Sequence, residues 1–377
     1  MRIGIPAEVK KDENRVALPP NGVAELVKHG HSVFVQHHAG IGSGFDDASY
    51  QAVGATITPD ATSTWSNAEL VLKVKEPQPS EYSFLRSDLI LFTYLHLAAA
   101  EDLTHAMLES GVTGIAYETV EDRHGRLPLL EPMSEVAGRM ASQVVAHYLE
   151  KHEGGRGVLM GGIPGVDPAH IVVLGGGTVG TNAAKVALGM GAQVTLLDID
   201  LERLRYLDDV MPGKFQTLYS NSANIATSIT SADAVIGSIL IAGARAPKLI
   251  TREMLSTMPR NSIIVDVAVD QGGCVETTHP TTHSDPTFVV DGVLHYGVAN
   301  MPGAVPRTSS LGLSNATLRY IIHLANHGLD ALKMDPGFLK GLNTYAGKLT
   351  YKGVSEAFHL DYADALNALS VQAEPII

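Results

Sequence analysis

Between residues 171 and 198 an apolar stretch of Ile171, Val172, Val173 and Leu174 runs into Gly175, Gly176 and Gly177, with Gly180 three residues on. Small side chains follow over 181–190, and a second apolar stretch, 194–197, ends in Asp198. A G-x-G-x-x-G turn between a strand and a helix, with an acid at the tip of the next strand, constrains this part to a strand–turn–helix–strand unit. In it Gly175 permits the tight turn and Gly177 lets backbone N–H groups reach a pyrophosphate. Gly180 lets the helix lie close on the sheet. Asp198 can accept hydrogen bonds from an adenosine ribose, and its charge would repel a 2′-phosphate, so the cofactor expected is NAD rather than NADP. Only the first and third glycines are required, and Gly176 reads as loosening the turn.

Short β-rich runs alternate with helical stretches before this motif: 3–5, 22–28, 32–36, 69–74, 89–94, 103–109 and 112–117. Such alternation predicts parallel βα units, here without a phosphate-binding glycine turn. Residues 134–152 carry apolar positions at helical spacing after Pro132, which predicts a long helix joining two domains with Ser134 as its N-cap. After Asp198 the α/β rhythm continues through 215–219, 234–241, 263–269, 287–290 and 292–298. Residues 301–306 interrupt it, and a helical remainder returns to cover the first domain. The expected fold is α/β: two Rossmann-like domains with doubly wound parallel sheets and a cleft between them. Residues 1–130 and 305–377 form a discontinuous substrate domain around a dinucleotide domain of 131–304.

The chain has 377 residues, 45% of them apolar, enough for two ordinary cores. Its net charge of −13 is spread along the sequence and leaves no basic stripe for nucleic acid. The start lacks the apolar core of a signal peptide, and no apolar run approaches the ~20 residues that span a bilayer. A cytoplasmic protein without membrane or nucleic-acid partners is expected. Cys274 is the single cysteine, so no intrachain disulfide, zinc ribbon or redox pair can form; no metal is expected.

Hydride transfer needs groups that hold the substrate, polarise a carbonyl or imine, and move protons. Arg15, in a polar loop after the first strand, can grip a carboxylate through two parallel hydrogen bonds or be a solvated surface charge. Lys75 lies where a strand ends before Glu76 and Pro77, on the edge where open α/β sheets bind ligands. It shares a strand face with Lys73, and one of the two is free to be merely solvated. His96 follows an apolar strand at the same kind of edge. Asp266 and Asp270 occupy one apolar run, and either is a candidate for a structural or a catalytic role, since a buried carboxylate needs a partner. Cys274 has no base beside it in sequence and reads as a small buried residue.

The residues gathered so far, with longer blocks at 1–6, 10–17, 72–77, 94–98, 132–139, 266–273 and 298–302, resemble the bacterial L-alanine dehydrogenases over essentially the whole chain. The resemblance implies NAD-dependent, reversible deamination of L-alanine to pyruvate and ammonia in a homohexamer. It implies that Arg15 binds the substrate carboxylate, Lys75 polarises the pyruvate carbonyl, His96 is the acid/base and Asp270 assists proton transfer. For the cofactor it implies Ser134, Asp198, Arg203 and Ser220. It adds contacts from Thr178, Val179, Ile239, Leu240, Val267, Ala268, Val269, Asp270, Val298, Ala299, Asn300 and Met301, beside Gly175, Gly177 and Gly180. Three rival readings remain: the NAD-binding portion of a proton-translocating transhydrogenase, an opine-forming dehydrogenase, and a non-catalytic NAD(H) sensor.

Overall fold

The computed structural model describes residues 1–213, 215–239, 246–269 and 272–370. The chain divides into two compact units, Met1–Met133 with Val305–Ile377, and Ser134–Ala304.

The first unit opens with β1 (Arg2–Ile5), α1 (Pro20–Lys28), β2 (Ser32–Gln36), α2 (Asp47–Ala52), β3 (Thr56–Thr58), α3 (Ala61–Asn67) and β4 (Leu70–Leu72). It continues with β5 (Ile90–Thr93), α4 (Glu101–Ser110) and β6 (Thr113–Ala116). Local chemistry sets the helix starts. Pro20 occupies the first turn of α1, where its missing N–H costs nothing. Asp46 and Asp60 cap α2 and α3 by accepting the Ser49 and Ser63 N–H groups at 2.9 and 2.7 Å. The boundary between units falls inside α5 (Glu131–Tyr148). That helix begins three residues before the expected Ser134 cap, because Pro132 is tolerated in a first turn; Ser134 is therefore within the helix.

The second unit contains β7 (His170–Leu174), α6 (Thr178–Gly189), β8 (Gln193–Asp198), α7 (Leu201–Val210), β9 (Gln216–Tyr219) and α8 (Ser222–Ile229). Next come β10 (Ala234–Gly237), α9 (Arg252–Leu255), β11 (Ile263–Asp266), β12 (Thr287–Val290) and β13 (Val293–Tyr296). Its sheet has the order β12-β13-β11-β10-β7-β8-β9 and is parallel except for β12. The helices pack a core that includes Val172, Leu174, Val235 and Ile264. Strand β11 stops at Asp266, earlier than the apolar run through Val269 predicted.

The chain then returns to the first unit with α10 (Pro306–His327), α11 (Asp330–Met334), α12 (Pro336–Leu339), β14 (Leu342–Tyr345), β15 (Lys348–Leu349), α13 (Lys352–Phe358) and α14 (Ala365–Ser370). This remainder is not wholly helical. Strand β14 pairs antiparallel with β6 and with β15, so the first sheet runs β15-β14-β6-β5-β4-β1-β2-β3. Both sheets are therefore mixed rather than purely parallel. Each holds six parallel strands in the order 3-2-1-4-5-6. The chain thus reverses direction across the sheet beside β1 in one unit and beside β7 in the other, and ligand crevices form at the carboxyl ends of strands at such points.

Candidate active site and dinucleotide turn

In the first unit the strand reversal lies between β1 and β4; Arg15 and Lys75 follow these two strands, and His96 follows the neighbouring β5. Arg15 is only 2% exposed. Its Nε and Nη2 donate to the two carboxylate oxygens of Glu13 at 2.7 and 2.6 Å, and Nη1 lies 3.1 Å from the Met133 sulfur. It is not a surface charge. Burial works against its cation, but the Glu13 hydrogen bond and charge outweigh that and raise its pKa. The bidentate grip of Glu13 fixes the plane of the guanidinium.

Lys75 follows β4 in a bend. Burial lowers its pKa, and the nearby charges of Arg15 and Lys10 lower it further, against the pull of Glu76 and Glu13. Lys10 itself pairs with Glu76 at 2.5 Å. Lys73, two residues earlier, is not solvated: it is fully buried between Glu8 and Glu81 at 3.0 and 2.9 Å. Glu8 also accepts the Val74 N–H at 2.6 Å, which pins the backbone next to Lys75.

His96 follows β5 in a left-handed backbone conformation, φ 49°. The Glu118 carboxylate accepts its N–H at 2.6 Å and that of Leu95 at 3.2 Å, holding this uncommon turn. The half-exposed imidazole stacks on Tyr94, with ring centroids 5.8 Å apart and planes 5° from parallel. The Tyr94 hydroxyl donates to Leu129 O at 2.6 Å, and burial raises its pKa, so it stays neutral. Arg15 and Lys75 are electrostatic neighbours, and Tyr94 joins them through its interaction with Arg15. Sequence reasoning missed Glu8, Glu13, Glu118 and Met133. Only the nearness of Glu13 to Arg15 gave a signal, because the other three are brought in by tertiary folding.

In the second unit the reversal lies between β7 and β10, at the glycine turn. Gly175 has φ 101°, and a Cβ there would lie 3.1 Å from Ser238 O and 3.2 Å from the Ile239 side chain. A Cβ on Gly180 would lie 1.8 Å from Gly175 O, so α6 could not approach the turn. On Gly177 it would meet nothing within 4 Å, which leaves open space at the α6 N-terminus. Thr178 and Val179 open that helix. Gly176 does not loosen the turn: its N–H donates to Asp198 Oδ2 at 2.5 Å, and a Cβ would crowd Leu207 at 3.0 Å.

Asp198 Oδ1 accepts the Asp200 N–H at 2.8 Å, and Asp198 O accepts the Ser220 N–H at 2.9 Å. The acid is thus oriented beside the turn, with oxygen lone pairs suited to ribose hydroxyls. Arg203 donates to Gly176 O at 2.6 Å and Thr181 Oγ1 at 2.9 Å, bracing the turn from α7. Val267 donates to Gly237 O at 2.8 Å, followed by buried Ala268 and Val269. Val298, Ala299, Asn300 and Met301 follow β13; Asn300 has φ 65°, and its carbonyl accepts from His283 Nε2 at 3.1 Å. Ser134 sits half-buried in the first turn of α5. These residues fit a dinucleotide: a helix N-terminus with unfilled space, an oriented acid and a tight turn.

Leu240 and Asp270 lie outside the described residues. Asp266 resolves as structural. It is 1% exposed and accepts the Ala268 and Val275 N–H groups at 3.1 and 3.2 Å, holding the turn after β11. Burial raises its pKa and that of Cys274, whose thiol points at Asp266 from 3.6 Å and is no thiolate nucleophile.

Two family models match the chain: the alanine dehydrogenase/PNT N-terminal domain over residues 4–137 and the C-terminal domain over 141–352. The alanine dehydrogenase of Halomonas elongata is 54% identical over 98% of this chain and all of its own length. That of Methanococcus maripaludis is 53% identical with the same coverage. A solved L-alanine dehydrogenase superposes with a TM-score of 0.93 at 53% identity, over 95% of this chain and 99% of its own. A transhydrogenase from Sinorhizobium meliloti aligns with a TM-score of 0.77 at 26% identity, over 93% and 99%. With both family models matched and identity above one half along nearly its full length, the chain belongs to the alanine dehydrogenase family.

Proposed function

We propose that the chain catalyses the NAD-dependent, reversible oxidative deamination of L-alanine: L-alanine, NAD⁺ and water give pyruvate, ammonium, NADH and a proton. The observation that carries this is identity above one half, along nearly the whole chain, to proteins named alanine dehydrogenase. The transhydrogenase likeness, at 26%, is weaker, and among the described residues no helix is long and apolar enough to cross a membrane.

The roles divide between the units. Arg15, oriented by Glu13, binds the carboxylate of alanine or pyruvate. Lys75 donates to the substrate heteroatom and stabilises negative charge as it develops there; loss of such a donor costs about 10²–10³ in rate. His96, oriented by the Glu118-held turn, takes a proton from the water that adds to the imine carbon and returns one as ammonia leaves. Asp270 assists it on the family resemblance. Bound NAD supplies the hydride acceptor for the alanine Cα. Gly175, Gly177 and Gly180 give its pyrophosphate a close approach, Asp198 and Ser220 hold the adenosine ribose, and Arg203 braces the turn. Ser134, Thr178, Val179, Ile239, Val267, Ala268, Val269, Val298, Ala299, Asn300 and Met301 complete the cofactor's surroundings, and the family resemblance adds Leu240. The assembly we propose is a cytoplasmic homohexamer, whose mass light scattering would read.

Absorbance at 340 nm tests the reaction. L-alanine with NAD⁺ is expected to produce NADH and with NADP⁺ far less, while pyruvate with ammonium is expected to consume NADH. No change with alanine at any pH, or hydride exchange between nucleotides in its place, would overturn the proposal.

A further inference from the structure

We propose that His37, His38 and Asp47 form a binding site for a divalent transition-metal ion such as Zn²⁺ or Ni²⁺, built from residues that take no part in the site described above. Strand β2 ends at Gln36, and the two histidines follow directly. Neighbouring side chains on an extended strand point to opposite faces. His38 breaks that alternation: its φ of 66° turns the chain so that the two imidazoles lie one over the other, ring centroids 3.5 Å apart and planes 29° from parallel.

The chain then loops back to bring Asp47, the first residue of α2, against the pair. One oxygen of Asp47 accepts the His38 N–H at 2.9 Å, and the other lies 2.5 Å from His37 Nδ1. One donor atom from each residue thus lies within 4.8 Å of the other two. Among the described residues this is the single group of three or more His, Cys, Asp or Glu side chains that converge in this way.

The donor set decides the class of ion. Two imidazole nitrogens and one carboxylate oxygen suit zinc, nickel, cobalt or copper, whereas magnesium and calcium take oxygen ligands. Around a tetrahedral ion with bonds of about 2.1 Å, donors sit about 3.4 Å apart. Both histidines are exposed, so side-chain rotation can close the remaining distance without moving the backbone. Water can fill the open coordination positions. The ion would tie the end of β2 to the start of α2 across residues 37–47, in place of the present His37–Asp47 hydrogen bond.

Isothermal titration of chelator-stripped full-length protein tests the site, using Zn²⁺ and Ni²⁺ with Mg²⁺ and Ca²⁺ as comparisons. One transition-metal ion per chain is expected at this site. His38→Gly, which suits the positive φ, and Asp47→Asn should each weaken its binding at least tenfold, and His105→Ala, at an exposed position of α4, should leave it unchanged. Metal-free melting temperatures of the variants show whether each is folded; should Asp47→Asn be destabilised, His38→Gly decides. Equal affinity in His38→Gly and the parent, equal response to Mg²⁺, or no one-to-one binding of either transition ion would overturn the proposal.

Discussion

Lys75 shows at the residue scale how one position serves reactivity against stability. Its pKa is depressed below 10.5 by burial and by Arg15 and Lys10, so the folded protein disfavours its protonated form. That penalty is present in full below the folded pKa and disappears as pH rises past 10.5. Lys75→Met should therefore raise the melting temperature at pH 7 and lose that advantage as pH rises past 10.5, while kcat falls about 10²–10³-fold. In the parent, pyruvate reduction should decline on an alkaline limb whose pKa is below 10.5; the pH profile and paired melting curves check both. The glycines make a second contrast. Gly180→Ala puts a Cβ 1.8 Å from Gly175 O and should destabilise the fold and lose cofactor binding together. Gly177→Ala meets only open space and should change stability by no more than about 0.5 kcal/mol, yet raise the KM for NAD at least tenfold. Equal effects of the two on melting temperature would contradict this assignment.

At the scale of elements, the segment after β4 is held by charge. Glu8, Lys73 and Glu81 are all buried, and Glu8 is also bonded to the Val74 N–H. Removing one partner of a buried ionic group leaves the others uncompensated, at about 3–5 kcal/mol. Lys73→Met should lose about that much at pH 7 by chemical denaturation. Burial already raises the Glu8 pKa, so acidification should protonate the stranded Glu8 carboxylate and restore part of the loss; a loss that grows as pH falls toward 5 would refute the triad's role. The sequence singled out Lys75 by its place at a strand end but left one of Lys73 and Lys75 free to be solvated, since Glu8 and Glu81 meet Lys73 only in the folded chain. The β8 and β2 boundaries were legible from apolar runs and their flanking polar residues. The β11 end was not, because Val267, Ala268 and Val269 are apolar yet folded into the turn that Asp266 holds.

On the scale of the whole molecule, the first sheet needs both ends of the chain. Strand β14 covers the edge of β6, and Thr344 Oγ1 accepts the Gly114 N–H and donates to Val112 O, both at 3.1 Å. The α10 residue Ser310 bonds the Val16 N–H at 3.0 Å and Ser43 at 2.9 Å. The second unit has a contiguous sheet and core. A fragment of residues 131–304 should therefore unfold cooperatively and bind NADH by fluorescence, whereas 1–133 alone should aggregate through its uncovered β6 edge. A monomeric, cooperatively folded 1–133 would contradict this.

By itself the sequence determined what local rules govern: the strand–turn–helix around Gly175 and Gly180, the acid at the tip of β8, the α/β rhythm and the family resemblance. These follow from apolar period, backbone freedom and short motifs, all confined to neighbouring residues. Tertiary structure alone decided what depends on distant residues meeting: the Glu8–Lys73–Glu81 triad, Glu118 under His96, the tight packing of Gly176, and the return of β14 to the first sheet. A carboxylate's partner, a glycine's missing Cβ and a sheet edge acquire their energetic meaning only once segments far apart in sequence are in contact.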